Sequence, residues 1–203
     1  MQLPDYFNTI ETTGTAEFKD RGSRFIAVAA PVKTIADCRQ KLADIKKEYP
    51  KASHYCFAYR LGLDNNQFRV SDDGEPSGSA GRPILGQMDS RGVTDILIVV
   101  VRYFGGTLLG VPGLINAYKS AAAMVLQVMP LVRRPVLVPY HLQFDYTKMN
   151  EIMTAVKQFD CEVLKQELQL FCVMDIAIPR YRLNETLMKL NDIRDLSIEA
   201  IKQ

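Results

Sequence analysis

The chain has 203 residues, of which 47% are hydrophobic and 24% are charged, and its formal net charge is +2. These values are typical of a globular protein with one large or two small domains, and the small charge argues against a protein held on nucleic acid or membrane by its overall field. No apolar run approaches the ~20 residues of a membrane span, no secretory leader is recognisable, and the four cysteines form no CxxC pair. We therefore expect a cytoplasmic protein with reduced thiols.

The first part of the chain mixes strand and helix patterns. It predicts strands at 12–18, 23–30, 54–61, 68–70 and 93–101, and helices at 34–48, 79–88 and 110–129. The helix at 34–48 starts at Thr34, a favourable N-cap residue, and Pro50 ends it. Segment 93–101 is apolar at nearly every position, which predicts a strand that is covered on both faces.

The pattern changes after Leu131. From Val136 to Tyr146 apolar residues alternate with mostly polar ones, which predicts a half-buried strand. Further elements are predicted at 147–159, 162–168, 170–178, 180–190 and 196–200, which completes the order β-α-β-β-α-β. That order is the ferredoxin-like arrangement. We therefore predict an α+β protein of two domains, residues 1–133 and 134–203, with the boundary near 131–135 and Arg133–Pro135 as a linker.

The charges are divided between the two predicted domains. Residues 1–133 contain 16 Lys and Arg against 13 Asp and Glu, a net charge of +3, and residues 134–203 contain 9 against 10, a net charge of −1. Neither balance is basic enough for a dedicated reader of duplex DNA.

An acidic loop follows the strand at 68–70. Asp72, Asp73 and Glu75 lie within four positions, between glycines and prolines that restrict the backbone. Such carboxylates could bind a hard cation such as Mg²⁺, or two of them could share a proton. The structural alternative is that Asp73 and Gly74 form a turn and that the short acidic side chains accept bonds from loop or helix-start N–H groups.

A glycine-rich turn follows the buried strand. Arg102 and Tyr103 end that strand, and Gly105 and Gly106 lead towards the next helix. Glycines before a helix allow an anion to approach the backbone, although tight turns and close packing explain them equally well. An arginine at the end of a buried strand needs a partner, and we predict that Arg102 pairs with a carboxylate of the acidic loop.

His54 and Cys56 are two residues apart on a predicted strand and could share a face. A Cys-His nucleophile pair is one interpretation, but no third group is found to orient it, and a core position for Cys56 explains it as well. Lys19, Arg21 and Arg24 flank the first predicted turn, at residues 19–22, and could contact phosphates, although a solvated turn is the simpler explanation.

Several sequence blocks resemble the signature of the Impact family, in its bacterial YigZ branch. These blocks are Ser23–Phe25, His54–Tyr59, Ser71–Pro76, Gly78–Pro83, Val99–Gly106, Leu109–Gly110 and Gly113–Tyr118. The resemblance covers about residues 10–130, and the departure Val111–Pro112 replaces an expected small residue and glycine. It implies a first domain like the α+β domain of a ribosomal protein and of elongation factor G, a second like the last domain of that factor, and a link to translation.

We therefore expect a non-enzymatic, cytoplasmic binding or regulatory protein whose partner is RNA or a protein of the translation machinery. The sequence predicts no catalytic residue, cofactor or metal ligand and no membrane contact, and it does not indicate the oligomeric state. The predicted binding cleft consists of His54, Asp72, Asp73, Glu75, Arg102, Tyr103, Gly105 and Gly106. The alternative is a metal-dependent hydrolase or phosphotransferase that uses the acidic loop.

Overall fold

The computed structural model of the chain describes residues 4–64 and 66–201. By their contacts the described residues divide into two compact units, Phe7–Arg134 and residues 135–201 together with 4–6. The end residues 1–3 and 202–203 of the two predicted domains lie outside the described residues. That each predicted domain folds by itself remains a prediction.

The first unit is built on a five-stranded antiparallel sheet in the order β2-β3-β6-β4-β5. Its strands are β2 (Gly14–Asp20), β3 (Ser23–Pro31), β4 (His54–Leu61), β5 (Gln67–Ser71) and β6 (Ile96–Tyr103). Its helices are α1 (Ile35–Glu48), α2 (Gly81–Arg91) and α3 (Gly110–Val128). A separate two-stranded sheet joins β1 (Tyr6–Thr9) and β7 (Val132–Pro135).

Strand β6 lies at the centre of this sheet, and its residues 96–101 are all buried. Ile98 and Val100 pack into the core that includes residues of α2 and α3, whereas Val99 and Val101 pack into the core that includes residues of α1. The prediction of a strand covered on both faces is therefore confirmed. The predicted cap of α1 is confirmed as well, because Thr34 and Asp37 each accept a hydrogen bond from the backbone of the other.

The second unit is a four-stranded antiparallel sheet with two helices. Its elements are β8 (Leu137–Asp145), α4 (Met149–Gln158), β9 (Glu162–Glu167), β10 (Phe171–Pro179), α5 (Leu183–Asn191) and β11 (Ser197–Ala200). The strand order is β11-β8-β10-β9, which is the ferredoxin-like order. The α+β class with its ferredoxin-like second part is thus confirmed. Residues of α4 and α5 pack on one sheet face, around Leu142, Phe144 and Ile176.

Two local predictions are wrong. Residues 132–135 form strand β7 instead of a linker, because they pair with β1, and the short polar sequence around Arg133 gave no sign of that pairing. Tyr146 was expected on the buried face of β8 but is exposed. The strand ends at Asp145, whose carboxylate accepts a hydrogen bond from the N–H of Thr147 and begins a short 3₁₀ turn.

None of the helices in the described part of the chain combines the length and apolar character needed to cross a membrane.

Candidate functional site

The predicted site residues come together at one end of the first sheet. His54 opens β4 and lies opposite Arg102, near the end of the neighbouring strand β6. The acidic loop follows β5, which pairs with β4 on its other side. The antiparallel register therefore brings three distant sequence segments to the same edge of the fold, as the predicted cleft requires.

Glu75 is the centre of a buried polar cluster. Its Oε1 accepts a hydrogen bond from Nη1 of Arg102 at 2.6 Å and another from the hydroxyl of Tyr118 at 2.8 Å. Only 4% of the Glu75 side chain and 6% of the Arg102 side chain is exposed. The predicted pairing of Arg102 with the acidic loop is confirmed, and Glu75 is the carboxylate that it uses.

Tyr118, in α3, is a member of this cluster that the sequence did not predict as a site residue. Its hydroxyl donates to Glu75 and also accepts a hydrogen bond from Sγ of Cys56 at 3.3 Å. Burial, together with the nearby Cys56 and Glu75, raises the pKa of Tyr118 far above its usual range. The hydroxyl therefore stays protonated and acts as a donor. The one sequence feature that could have indicated this role is the hydroxyl of Tyr118, since the other residues on the buried side of α3 are apolar.

Asp72 closes the loop onto α2. Its two carboxylate oxygens accept hydrogen bonds from the N–H groups of Gly78, Ala80 and Gly81, at 2.9, 3.0 and 2.8 Å. Burial acts to raise the pKa of Asp72, but these three bonds, aided by the charge of Arg82, outweigh it and lower that pKa. Asp72 is therefore held as a carboxylate that caps the helix, as the structural alternative requires.

Asp73 ties the same loop to β4. Its Oδ2 accepts a hydrogen bond from the N–H of Tyr55 at 2.7 Å, and its backbone adopts a φ of 43°, in the left-handed region. With Asp72 and Glu75, this means that all three carboxylates of the loop accept hydrogen bonds from protein donors. A metal ion bound by the loop would have to compete with those donors, so the arrangement favours a structural role for the loop over the hydrolase alternative.

His54 and Cys56 share a face but do not bond each other. Nδ1 of His54 lies 2.8 Å from the carbonyl oxygen of Asp73, and because that oxygen can only accept, Nδ1 carries the hydrogen. Cys56 donates instead to the carbonyl oxygen of Asp72 and to Tyr118. Burial is the main cause that raises the pKa of Cys56 to about 12, so its thiol is protonated at neutral pH. These contacts favour the core position for Cys56 over a Cys-His nucleophile pair.

The two glycines after β6 have different environments. A Cβ atom on Gly105 would lie 2.0 Å from the carbonyl carbon of Gly22, so the residue is needed for a close approach of two backbones. Its N–H donates to Oγ of Ser23 at 3.2 Å, which leaves it unavailable for an anion. Gly106 has a φ of 86° and open space around its Cβ position. Close packing therefore explains Gly105, and backbone conformation explains Gly106.

A second group of side chains, which we call the cation–aromatic rim, surrounds the end of the sheet. The guanidinium of Arg24 lies 5.8 Å from the ring centre of Tyr103, and the ammonium of Lys46 lies 5.2 Å from that of Tyr55. Phe104, which is 48% exposed, completes the rim, and the buried Arg102 lies 5.5 Å from its ring centre. The rim is defined as Arg24, Lys46, Tyr55, Tyr103 and Phe104.

The sequence identified Tyr103 and Arg24 as candidates but missed the other three rim residues. Tyr103 and Tyr55 pack partly into the core on the α1 side of the sheet, whereas Arg102 packs against Phe25 on the other side. The predicted cleft is thus divided: a buried cluster lies on one side of the sheet end and most of the rim on the other. Only the strand register, which no local pattern reveals, brings these residues to one end.

Comparisons with known proteins agree with this fold. A family model, the Impact N-terminal domain, matches residues 21–126. "IMPACT family member YigZ" of Escherichia coli is 34% identical over 88% of this chain and 89% of its own length, and "IMPACT family member YvyE" of Bacillus subtilis is 36% identical over 77% and 71%. Rat "Protein IMPACT" is 36% identical over 47% of this chain, but the match spans only 31% of that protein.

One solved structure matches along the whole chain. It is the crystal structure of a hypothetical protein, with a TM-score of 0.79 and 32% sequence identity, and the match covers 99% of this chain and 100% of the other.

Proposed function

The chain belongs to the IMPACT family, and from that premise we propose that it is a non-catalytic regulatory protein whose first unit binds single-stranded RNA of the translation machinery. The link to translation rests on the family resemblance. The choice of RNA rests on one observation, the cation–aromatic rim. Single-stranded nucleic acids are bound by surfaces that combine aromatic rings, on which bases stack, with positive charges that follow the backbone.

The rim has the rigidity that stacking requires. The hydroxyl of Tyr55 donates to the carbonyl of Tyr49 at 2.7 Å, and that of Tyr103 donates to the carbonyl of Pro50 at 3.2 Å. Both rings are therefore held at fixed orientations before a ligand arrives, which reduces the entropy lost on binding. Phe104 offers the exposed ring.

Arg24 is the cation of the rim that is best placed for a phosphate. It is bonded to Glu17 at 2.9 Å, and both side chains are partly exposed. An exposed ion pair of this kind contributes little to stability, so exchanging Glu17 for a phosphate costs little.

The buried cluster has a supporting role in this proposal. Arg102 is neutralised by Glu75, so it is not available as a phosphate ligand. Instead it fixes the end of β6 from which Phe104 projects, and the acidic loop acts as a scaffold.

The test is fluorescence anisotropy with a labelled single-stranded RNA of about 12 nucleotides. That length lies within the range of site sizes of protein surfaces that bind single strands. We expect binding that weakens as salt increases, because phosphate contacts release counterions. Phe104→Ala should weaken binding by about 5- to 150-fold, the equivalent of the ~1–3 kcal/mol for one stacked base. The matched control is Phe68→Ala on β5, which removes a ring that is 50% exposed in the same unit and should leave affinity unchanged.

Equal affinities for the Phe104→Ala and Phe68→Ala proteins would contradict the rim as the binding surface. No RNA binding at low salt, combined with cross-linking of the unmodified chain to a ribosomal protein, would replace RNA with a protein partner. Both variants are first compared by thermal melting, so that a loss of folding is not mistaken for a loss of binding.

A further inference from the structure

Strand β9 is an open edge of the second sheet. Within the part of the chain that the structure describes, it pairs with β10 on one side and with no strand on the other, and all six of its residues are exposed. The outer row of N–H and C=O groups of such a strand is a template for pairing with another strand.

Large apolar side chains accompany this open edge. Leu164, in β9, is 55% exposed, and Leu168, just after it, is 48% exposed. The strand also carries the charged residues Glu162, Lys165 and Glu167 and a register irregularity at Leu164, which are features that discourage unspecific pairing. A strand that pairs with this edge therefore has to offer complementary charges.

The sequence of this edge is complementary to itself. Residues 164–168 read Leu-Lys-Gln-Glu-Leu, which is symmetric about Gln166 except that the two charges have opposite signs. If two copies pair antiparallel around a two-fold axis at Gln166, each Lys165 faces Glu167 of the other copy. The two Gln166 residues then face each other. Leu164 lies at the register irregularity and Leu168 just after the strand, so the leucines border the paired segment and the charged pairs define it. Opposite charges across neighbouring strands stabilise a sheet.

The neighbouring registers lack this complementarity. An axis at Lys165 would place Lys165 opposite its own copy, and an axis at Glu167 would do the same for Glu167. Like charges directly opposite each other destabilise a strand pair. In each chain Lys165 already lies 2.7 Å from Glu167, which shows that the two charged groups lie on one side of the strand, where the pairs across the axis would form.

We propose that β9 is a self-docking edge, on which a second copy of this chain adds its own β9 antiparallel around a two-fold axis at Gln166. The two ferredoxin-like sheets then form one continuous sheet of eight strands, through an isologous interface. The paired segment is short, so its area is below that of a standard interface, and we expect a dimer that dissociates on dilution.

The experiment is sedimentation velocity on the full chain over a range of concentrations. We expect the mass to rise with concentration from the 22.9 kDa monomer towards the dimer. Lys165→Glu alone and Glu167→Lys alone should each remain monomeric, because one places only acidic groups and the other only basic groups at the axis. The control is Lys189→Glu, an exposed position on α5, which should dimerise like the unmodified chain.

Two experiments that rearrange the charges make the test specific for this register. Mixing the Lys165→Glu protein with the Glu167→Lys protein should restore association, since acidic residues of one copy then face basic residues of the other. The double variant Lys165→Glu/Glu167→Lys should dimerise by itself. Each of these results is a gain of association, which a folding defect cannot produce.

The proposal is wrong if the unmodified chain stays monomeric at its highest soluble concentration. It is also wrong if the single variants associate as strongly as the unmodified chain, which would place the dimer interface elsewhere. Failure of both the mixture and the double variant to associate would reject the axis at Gln166.

Discussion

Both units consist of an antiparallel sheet and helices, but they differ in how far their charged pairs are buried. In the first unit helices cover both sheet faces, and the pair Arg102–Glu75 is almost fully buried at the end of the sheet. In the second unit the helices cover one face, and on the other face the pair His141–Asp175 remains 31% and 24% exposed. The comparison teaches that a charged pair determines local structure where water cannot replace either partner. Where water can replace a partner, the pair contributes little to stability.

The largest effect is expected from breaking the buried pair. Arg102→Met leaves Glu75 buried with Tyr118 as its remaining short-range donor, and we expect the first unit to lose about 3–5 kcal/mol of its free energy of unfolding. Urea denaturation of the full chain measures this loss. If residues 134–203 fold as an independent domain, their transition should not move.

The double variant Arg102→Met/Glu75→Gln sharpens this test. It removes the unpaired charge as well, so it should recover part of the lost stability. An unchanged midpoint for Arg102→Met would show that the arginine is solvated, and the contrast between the two units would then be lost.

A smaller effect is expected from Tyr118→Phe. The change removes one donor from Glu75 and one of the two acceptors near the Cys56 thiol, but it keeps the ring that packs against Phe25. Leaving a buried polar group without its partner costs about 1–3 kcal/mol. The control, measured in the same denaturation experiment, is Tyr181→Phe in the second unit, whose exposed side chain should lose little. Equal stability of Tyr118→Phe and the unmodified chain would place water beside Glu75.

The sequence predicted those parts of the fold that local patterns determine. The unbroken apolar run of β6 and the cap at Thr34 needed no tertiary information. The pairing of Arg102 with the acidic loop followed from the cost of an unpaired buried charge, but the choice of Glu75 over Asp72 depended on the loop conformation. Tyr118 lies among apolar residues on the buried side of α3, and no local pattern predicts its hydrogen bond to Glu75.

Other features depend on the register between distant strands. The cation–aromatic rim brings Tyr55 and Tyr103 together from β4 and β6, and neither strand carries a local sign of it. Strand β7 was missed for a similar reason, because its polar residues form a strand only when β1 lies beside them.

Asp72 provides an intermediate case, because its carboxylate is only partly buried and its partners are backbone N–H groups. Asp72→Asn removes the charge but keeps one acceptor oxygen, so we expect a loss of about 1 kcal/mol at neutral pH, as for other helix caps. The folded protein lowers the pKa of Asp72, so its contribution is complete above the unfolded pKa of about 4 and disappears as the pH falls through the lower, folded value. Denaturation at several pH values should therefore show the Asn variant and the unmodified chain converging in strongly acidic solution. If the two proteins still differ in stability in strongly acidic solution, the loss comes from the shape of the side chain and not from its charge.

The smallest effect is expected from Asp175→Asn, which changes the partly exposed pair of the second unit. Asp175 lies 2.6 Å from Nδ1 of His141, and Gln143 lies 3.2 Å from the other ring nitrogen. Water reaches both members of the pair, so either can exchange its partner for solvent, and we expect the free energy of unfolding to change by less than about 1 kcal/mol. Urea denaturation of the full chain, following the transition of the second unit, gives this value, and the exposed pair Arg182–Asp160 offers a matched control in Asp160→Asn. A loss for Asp175→Asn as large as that for Arg102→Met would mean that the open sheet face is covered in solution. A partner that buries the pair His141–Asp175 would then make it contribute as much to stability as the pair Arg102–Glu75. The difference in exposure between the two units would hold only for the chain without its partner.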